Sequence, residues 1–141
     1  MAVRLVILLL SICVLGTKTL EDALTDLLCD DVPYKGGKAH SGVLEGGKRL
    51  VQKHKPLLLK LLKSSGKHKI NLTCVGHSLG AGAASIIGME LNDDPNFDVQ
   101  VIGFGCPALL SQELAERTKG YITTVRSAFW YWYTVFCPKN N

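Results

Sequence analysis

The sequence predicts an α/β protein built on a doubly wound, mostly parallel sheet with flanking helices, and three observations carry that prediction. From Ile70 to Val125, apolar runs of strand length alternate with segments of helical periodicity. Ile70 to Val75 (INLTCV) passes through Gly76-His77-Ser78-Leu79-Gly80 straight into Ala81 to Leu91, so strand, tight turn and helix follow in order. Met1 to Leu15 (MAVRLVILLLSICVL) is a nearly unbroken Val/Ile/Leu run, the pattern of a parallel strand covered on both faces.

Taken in order, that first run also has the outline of a secretory signal peptide, one basic residue and then an apolar stretch too short to span a bilayer. Leu20 to Asp31 places leucines 20, 24, 27 and 28 on one face with acids elsewhere, and Thr19 with Asp22 spells a capping box, so an amphipathic surface helix is expected over Leu20 to Leu28. Val32 to Lys38, with Pro33, Gly36 and Gly37, reads as a loop. Val43 to Leu62 has a helical stripe interrupted by Gly46, Gly47 and Pro56, which predicts a long helix kinked or restarted near Pro56 and ended by Ser64-Ser65-Gly66. Asn92 to Asn96 (NDDPN) is a turn, Val99 to Phe104 a strand, Ser111 to Arg117 a short helix and Tyr121 to Val125 a final strand. Asn71-Leu72-Thr73 is formally a glycosylation sequon, but it falls inside a central strand.

With 141 residues the chain holds one domain at most, and 47% hydrophobic with 20% charged residues is ordinary for a globular protein rather than a disordered chain. Half of the 16 basic residues lie between Lys48 and Lys69, interleaved with leucines at helical spacing. That reads as a solvated helix face, one that would also attract an anionic membrane surface; without aromatic interleaving it does not suggest nucleic acid. The five cysteines have neither C-x-x-C nor zinc-like spacing, and Cys13, Cys74 and Cys106 fall in or beside strands, so all are read as reduced structural thiols, with no metal and no cofactor expected. A reducing, cytoplasmic or membrane-associated location follows if Met1 to Leu15 is a strand, and secretion if it is a signal peptide.

The chemistry concentrates at Gly76 to Gly80, which fits the G-x-S-x-G nucleophile elbow. A serine on a strand-to-helix turn needs glycines at both flanks because strand and helix crowd there, which leaves the Ser78 hydroxyl projecting at the sheet edge beside a helix N-terminus that favours a developing oxyanion. A glycine-rich turn with Ser78 as a helix cap is the plainer alternative.

Four blocks carry a wider resemblance: GTKTLEDALTDL (Gly16 to Leu27), AHSG (Ala39 to Gly42), GHSLGAG (Gly76 to Gly82) and GFGCP (Gly103 to Pro107). In this order they resemble the fungal-type (class 3) lipase family of α/β-hydrolases, and within it the plant and animal members akin to diacylglycerol lipases. The resemblance implies an α/β-hydrolase fold and acylglycerol hydrolysis with Ser78 as nucleophile. It implies an oxyanion hole from Thr17 and the Leu79 N–H, a lid over Leu20 to Asp31, and a structural rather than catalytic role for His40. It also favours the strand reading of Met1 to Leu15, since Gly16-Thr17 falls where the family's strand meets the lid, although Leu15 stands where members commonly carry an arginine.

Past Val125 the resemblance stops, so residues 1–125 are expected to form a partial lipase domain and 126–141 a tail foreign to the family. The tail (RSAFWYWYTVFCPKNN) holds six of the chain's ten aromatic residues and no Asp, Glu or His. It reads as the end of a truncated product, or alternatively as a membrane-interface anchor. The family's triad aspartate and histidine have no counterpart here. Expected function is therefore lipase-type hydrolysis with impaired turnover, or alternatively a non-catalytic lipid-binding module.

Overall fold

The computed structural model describes residues 7–14 and 31–125. Thr17, the helix expected over Leu20 to Leu28, the lid, Cys29, Cys137 and the aromatic tail lie outside the described residues.

Among the described residues nine elements follow one another: β1 (Ile7–Val14), β2 (Asp31–Tyr34), β3 (Gly37–His40), α1 (Ser41–Ser65), β4 (Lys69–His77), α2 (Leu79–Leu91), β5 (Phe97–Phe104), α3 (Gln112–Thr118) and β6 (Ile122–Val125). Four strands make one parallel sheet in the order β1-β4-β5-β6, with Ile12, Cys74, Val101 and Ile122 in register across it. Residues Ile7–Val14 are thus a strand, as the unbroken apolar run suggests.

α2 is the centre of the packing. Eleven of its thirteen residues are buried, as expected of a helix apolar all round. One side meets the sheet: Ala84, Ile87 and Leu91 join Ile70, Leu72, Cys74, Val99 and Val101, with Leu58 and Leu62 of α1 closing the cluster. Its other side contributes Ile86 and Met89 to a second cluster with Tyr34, Ala39, Leu44 and Leu114. Glycines set how closely these layers approach. A Cβ at Gly47 would stand 2.5 Å from Ile86 Cβ, so α1 lies on α2 only because Gly47 has none.

Residues Val32 to Lys38 are not a loop. β2 and β3 pair antiparallel from Asp31↔His40 to Tyr34↔Gly37, closed by Lys35 (φ 45°) and Gly36 (φ 77°). Two successive positive φ values make the turn whose twist matches a hairpin, and Gly36 supplies one of them without strain. Pro33 is accommodated because the two-stranded ribbon leaves one side of β2 unpaired. The hairpin grips the far end of α2: the Tyr34 hydroxyl donates to Glu90 Oε1 (2.6 Å), and the Lys35 ammonium donates to the Met89 carbonyl (2.9 Å) and pairs with Asp93. A cation at a helix C-terminus meets the negative end of the dipole.

α1 is the long helix expected, and it runs through Pro56 without restarting there. Pro56 is exposed, so its ring faces solvent, while Leu58 and Leu62 hold the following turn in the core. Gly66 ends the helix at φ 63°. Lys55 bonds Asp94 (2.7 Å) in the turn after α2. Burial works to raise the Asp94 carboxyl pKa, but hydrogen bonds from Lys55 and Asn96 together with the lysine charge hold it below its ordinary value.

Of the thiols, Cys74 is buried in β4, and burial pushes its pKa up to about 12. Cys13 is exposed instead, because it lies on the sheet face opposite to α1 and α2. Asn71 sits inside β4, with its Oδ1 buried and unpartnered among the described residues.

Candidate active site

Ser78 stands between the last residue of β4 and the first of α2. Its backbone lies at φ 54° and ψ −126°, a conformation disfavoured for any residue with a Cβ. Three contacts enforce it. The Ser78 N–H donates to the Phe104 carbonyl at the end of β5 (2.9 Å), and the Ser78 carbonyl accepts from Ala81 (3.0 Å) and Gly82 (3.4 Å) as α2 begins. The residue is pinned from both sides, which is how a strained backbone persists.

Gly76 and Gly80 make this reversal fit. A Cβ on Gly76 would lie 2.2 Å from the Gly80 carbonyl oxygen and 2.6 Å from the Ala81 nitrogen, backbone atoms that cannot swing aside. The crowding extends to β5, where a Cβ on Gly103 would come within 3.1 Å of Ala81. Gly105, at φ 56°, then turns the chain back, and its N–H reaches the Val125 carbonyl (2.9 Å). Phe104 is a participant that the sequence alone did not single out. Its signal is the pair of glycines bracketing it in GFGCP, which marks a backbone drawn close to a neighbour.

Leu79 occupies the first position of α2, and among the described residues its N–H has no acceptor. That free donor points outward from the helix N-terminus beside Ser78, where it could stabilise negative charge. Thr17, the second oxyanion donor implied by the resemblance, lies outside the described residues.

The four histidines are placed as follows. His40 is buried as the N-cap of α1, its Nδ1 accepting from the Val43 N–H (3.3 Å) and its own N–H bonded to the Leu109 carbonyl (3.0 Å). His54 is exposed on α1 and His68 precedes β4. His77, next to the serine, has its ring near Gly105, whose Cβ position would lie 3.7 Å from His77 Nε2. Among the described residues no histidine hydrogen-bonds Ser78 Oγ.

A strained serine at a strand-to-helix turn, flanked by crowded glycines, is the arrangement expected of a nucleophile elbow. Residues 11–129 match the family described as Lipase (class 3). The chain is 34% identical over 79 residues to a lipase of Rhizopus niveus, covering 54% of this chain and 20% of that protein. It is 31% identical over 124 residues to diacylglycerol lipase-beta of Mus musculus, covering 81% and 18%. Its fold superposes on the crystal structure of a lipase from Rhizopus microsporus var. chinensis with a TM-score of 0.63 at 27% identity, covering 82% of this chain and 43% of that one. The chain thus spans about a fifth of the curated relatives (20% and 18%) and under half of the solved lipase (43%). Its parallel sheet and flanking helices are those of an α/β-hydrolase, and the chain belongs to the class 3 lipase family.

Proposed function

We propose that this chain carries the nucleophile and oxyanion portion of a serine ester hydrolase acting on acylglycerols, tri- or diacylglycerol, met at a lipid surface. The observation that carries it is the strained Ser78 between β4 and α2 with the free Leu79 N–H beside it. Ser78 Oγ attacks the ester carbonyl carbon, the carbonyl oxygen takes up the electron pair, and the N–H of Leu79 with the hydroxyl and N–H of Thr17 hold that oxyanion. Gly76 and Gly80 keep the turn tight. The names of the relatives, a lipase and a diacylglycerol lipase, support the substrate class.

A serine of this kind needs a base to take its proton. None of the four histidines bonds Ser78 in the described structure, and the sequence holds no Asp, Glu or His after Glu116. We read residues 1–125 as the lipase unit and 126–141 as a separate aromatic tail. On that reading the 141 residues alone turn over esters slowly, retaining at best the roughly 10³–10⁴-fold acceleration over water that binding and an oxyanion hole give without a triad. The absence of a histidine partner for Ser78 among the described residues supports a second reading, a lipid-binding unit without turnover of its own.

The test compares the 141-residue chain with a version joined after Val125 to the aspartate- and histidine-bearing half of a class 3 lipase, each with and without Ser78→Ala. Turnover of a soluble short-chain ester and fluorophosphonate labelling should be weak in the chain, strong in the joined version and absent from both variants. Joined protein that hydrolyses equally well after Ser78→Ala would rule out Ser78 as nucleophile. A joined protein that folds and stays inert would favour the lipid-binding reading.

A further inference from the structure

α1 carries a one-sided charge. Between Ser41 and Ser65 it has six basic residues, Lys48, Arg49, Lys53, Lys55, Lys60 and Lys63, against one carboxylate, Glu45. Glu45 is taken up by Arg49, and Lys55 by Asp94. Lys53, Lys60 and Lys63 are exposed and form no ion pair among the described residues.

Beside these cations two large apolar side chains face solvent: Leu57 is 54% exposed and Leu61 41%. At 3.6 residues per turn, Lys53, Leu57, Lys60, Leu61 and Ser64 fall within about 100° of arc. Their helix neighbours Leu58 and Leu62 already fill the core position, so the exposed leucines are surplus to the packing of α1. A merely solvated face gains nothing from leucines, and a polyanion in water has no use for them. A face that sets exposed leucines directly beside unpaired lysines is the pattern of a helix lying in a membrane interface: the leucines enter the headgroup boundary and the lysine stems snorkel to anionic headgroups.

We propose that the outer face of α1, centred on Leu57 and Leu61 with Lys53 and Lys60 beside them, docks on an anionic phospholipid bilayer. The helix lies on the membrane and does not cross it, since no helix among the described residues is long and apolar enough to span one. This deepens the reading that the substrate is met at a lipid surface, while requiring nothing of Ser78.

The test is co-sedimentation of the 141-residue chain with vesicles of phosphatidylcholine alone and of phosphatidylcholine mixed with phosphatidylserine, at low and high salt. The chain should bind the mixed vesicles, release them as salt rises, and bind the neutral ones weakly. Lys53→Glu/Lys60→Glu should lower partitioning by about tenfold or more. Leu57→Gln/Leu61→Gln should lower it by a similar factor. All four side chains are exposed, and unchanged circular dichroism verifies that the variants fold. Ser78→Ala should bind like the parent chain, so a failure of the catalytic reading leaves this result intact. No binding to the mixed vesicles would overturn the proposal. So would binding that the leucine variant retains, which indicates a general polyanion site, or binding that survives both double variants, which locates the contact elsewhere, as on the aromatic residues 126–141.

Discussion

Gly46 and Gly47 are adjacent in one helix, yet adding a methyl group should move stability in opposite directions. Nothing lies within 4 Å of a Cβ built at Gly46. Gly46→Ala therefore relieves only the backbone entropy of glycine in a helix, and should stabilise the fold by about 1 kcal/mol. At Gly47 the same gain is opposed by overpacking: the new carbon would stand 2.5 Å from Ile86 Cβ, 2.6 Å from its Cγ2 and 3.3 Å from the Ala83 carbonyl oxygen. Such insertions cost about 1–3 kcal/mol. The upper end applies here, because the atoms struck are the branch point of a β-branched residue, stiff at χ1 in a helix and unable to swing away. The net effect of Gly47→Ala is about 2 kcal/mol of destabilisation, leaving about 3 kcal/mol between two neighbouring substitutions. Urea unfolding of both variants measures this from the shift in midpoint at unchanged slope. If Gly47→Ala stabilised the protein as much as Gly46→Ala, α1 and α2 could not be packed as closely as described, and the placement of the Ser78 turn through that packing would be wrong.

Two further outcomes follow from side chains that anchor the core. Tyr34→Phe removes the donor to Glu90 and leaves that carboxylate part-buried without it, so urea unfolding should show a loss of about 1.5–3 kcal/mol. Cys74 has a folded-state pKa of about 12 against an ordinary 9.0, so between those values the unfolded chain gives up a proton that the folded chain keeps. Stability should then be fully present below pH 9.0 and fall as pH rises toward about 12, by at most about 1.4 kcal/mol per pH unit. Cys74→Ala should flatten that fall. At neutral pH a thiol reagent should label the exposed Cys13 and spare Cys74 until the protein unfolds.

The Ile70 to Leu91 stretch was legible because its cues agree: β-branched run, paired glycines, then an apolar helix. The hairpin was not. Its turn is Lys35-Gly36, and lysine at φ 45° has no propensity signal that would distinguish it from any loop, while Pro33 argues against a strand. What holds it is tertiary, through Tyr34, Lys35 and their partners on α2. The long α1 was legible from its stripe, but not that it continues without a restart: proline is a strong local cue, and Leu58 and Leu62 in the core hold the turn after it. His40 could be separated from the catalytic chemistry by resemblance, yet its actual work, capping α1 through Nδ1, needed the backbone geometry to be seen. The Phe104 carbonyl that holds Ser78 is a contact between strands, which no local pattern encodes.

The parallel sheet also dictates when the molecule can form during synthesis. Ile7 of β1 finds its partner at Lys69, 62 positions later in the chain. At roughly 5–20 residues per second, a ribosome takes several seconds to make the intervening stretch. Throughout that interval the edge of β1 that β4 will cover is open, and its Ile-Leu-Leu-Leu run makes that edge prone to association. Among the described residues the β2–β3 hairpin forms a sheet of its own and does not pair with β1. Pairing of β1 with β4 must therefore wait, and until Lys69 to His77 emerges the nascent chain presents a sticky apolar segment that holdase chaperones are suited to cover.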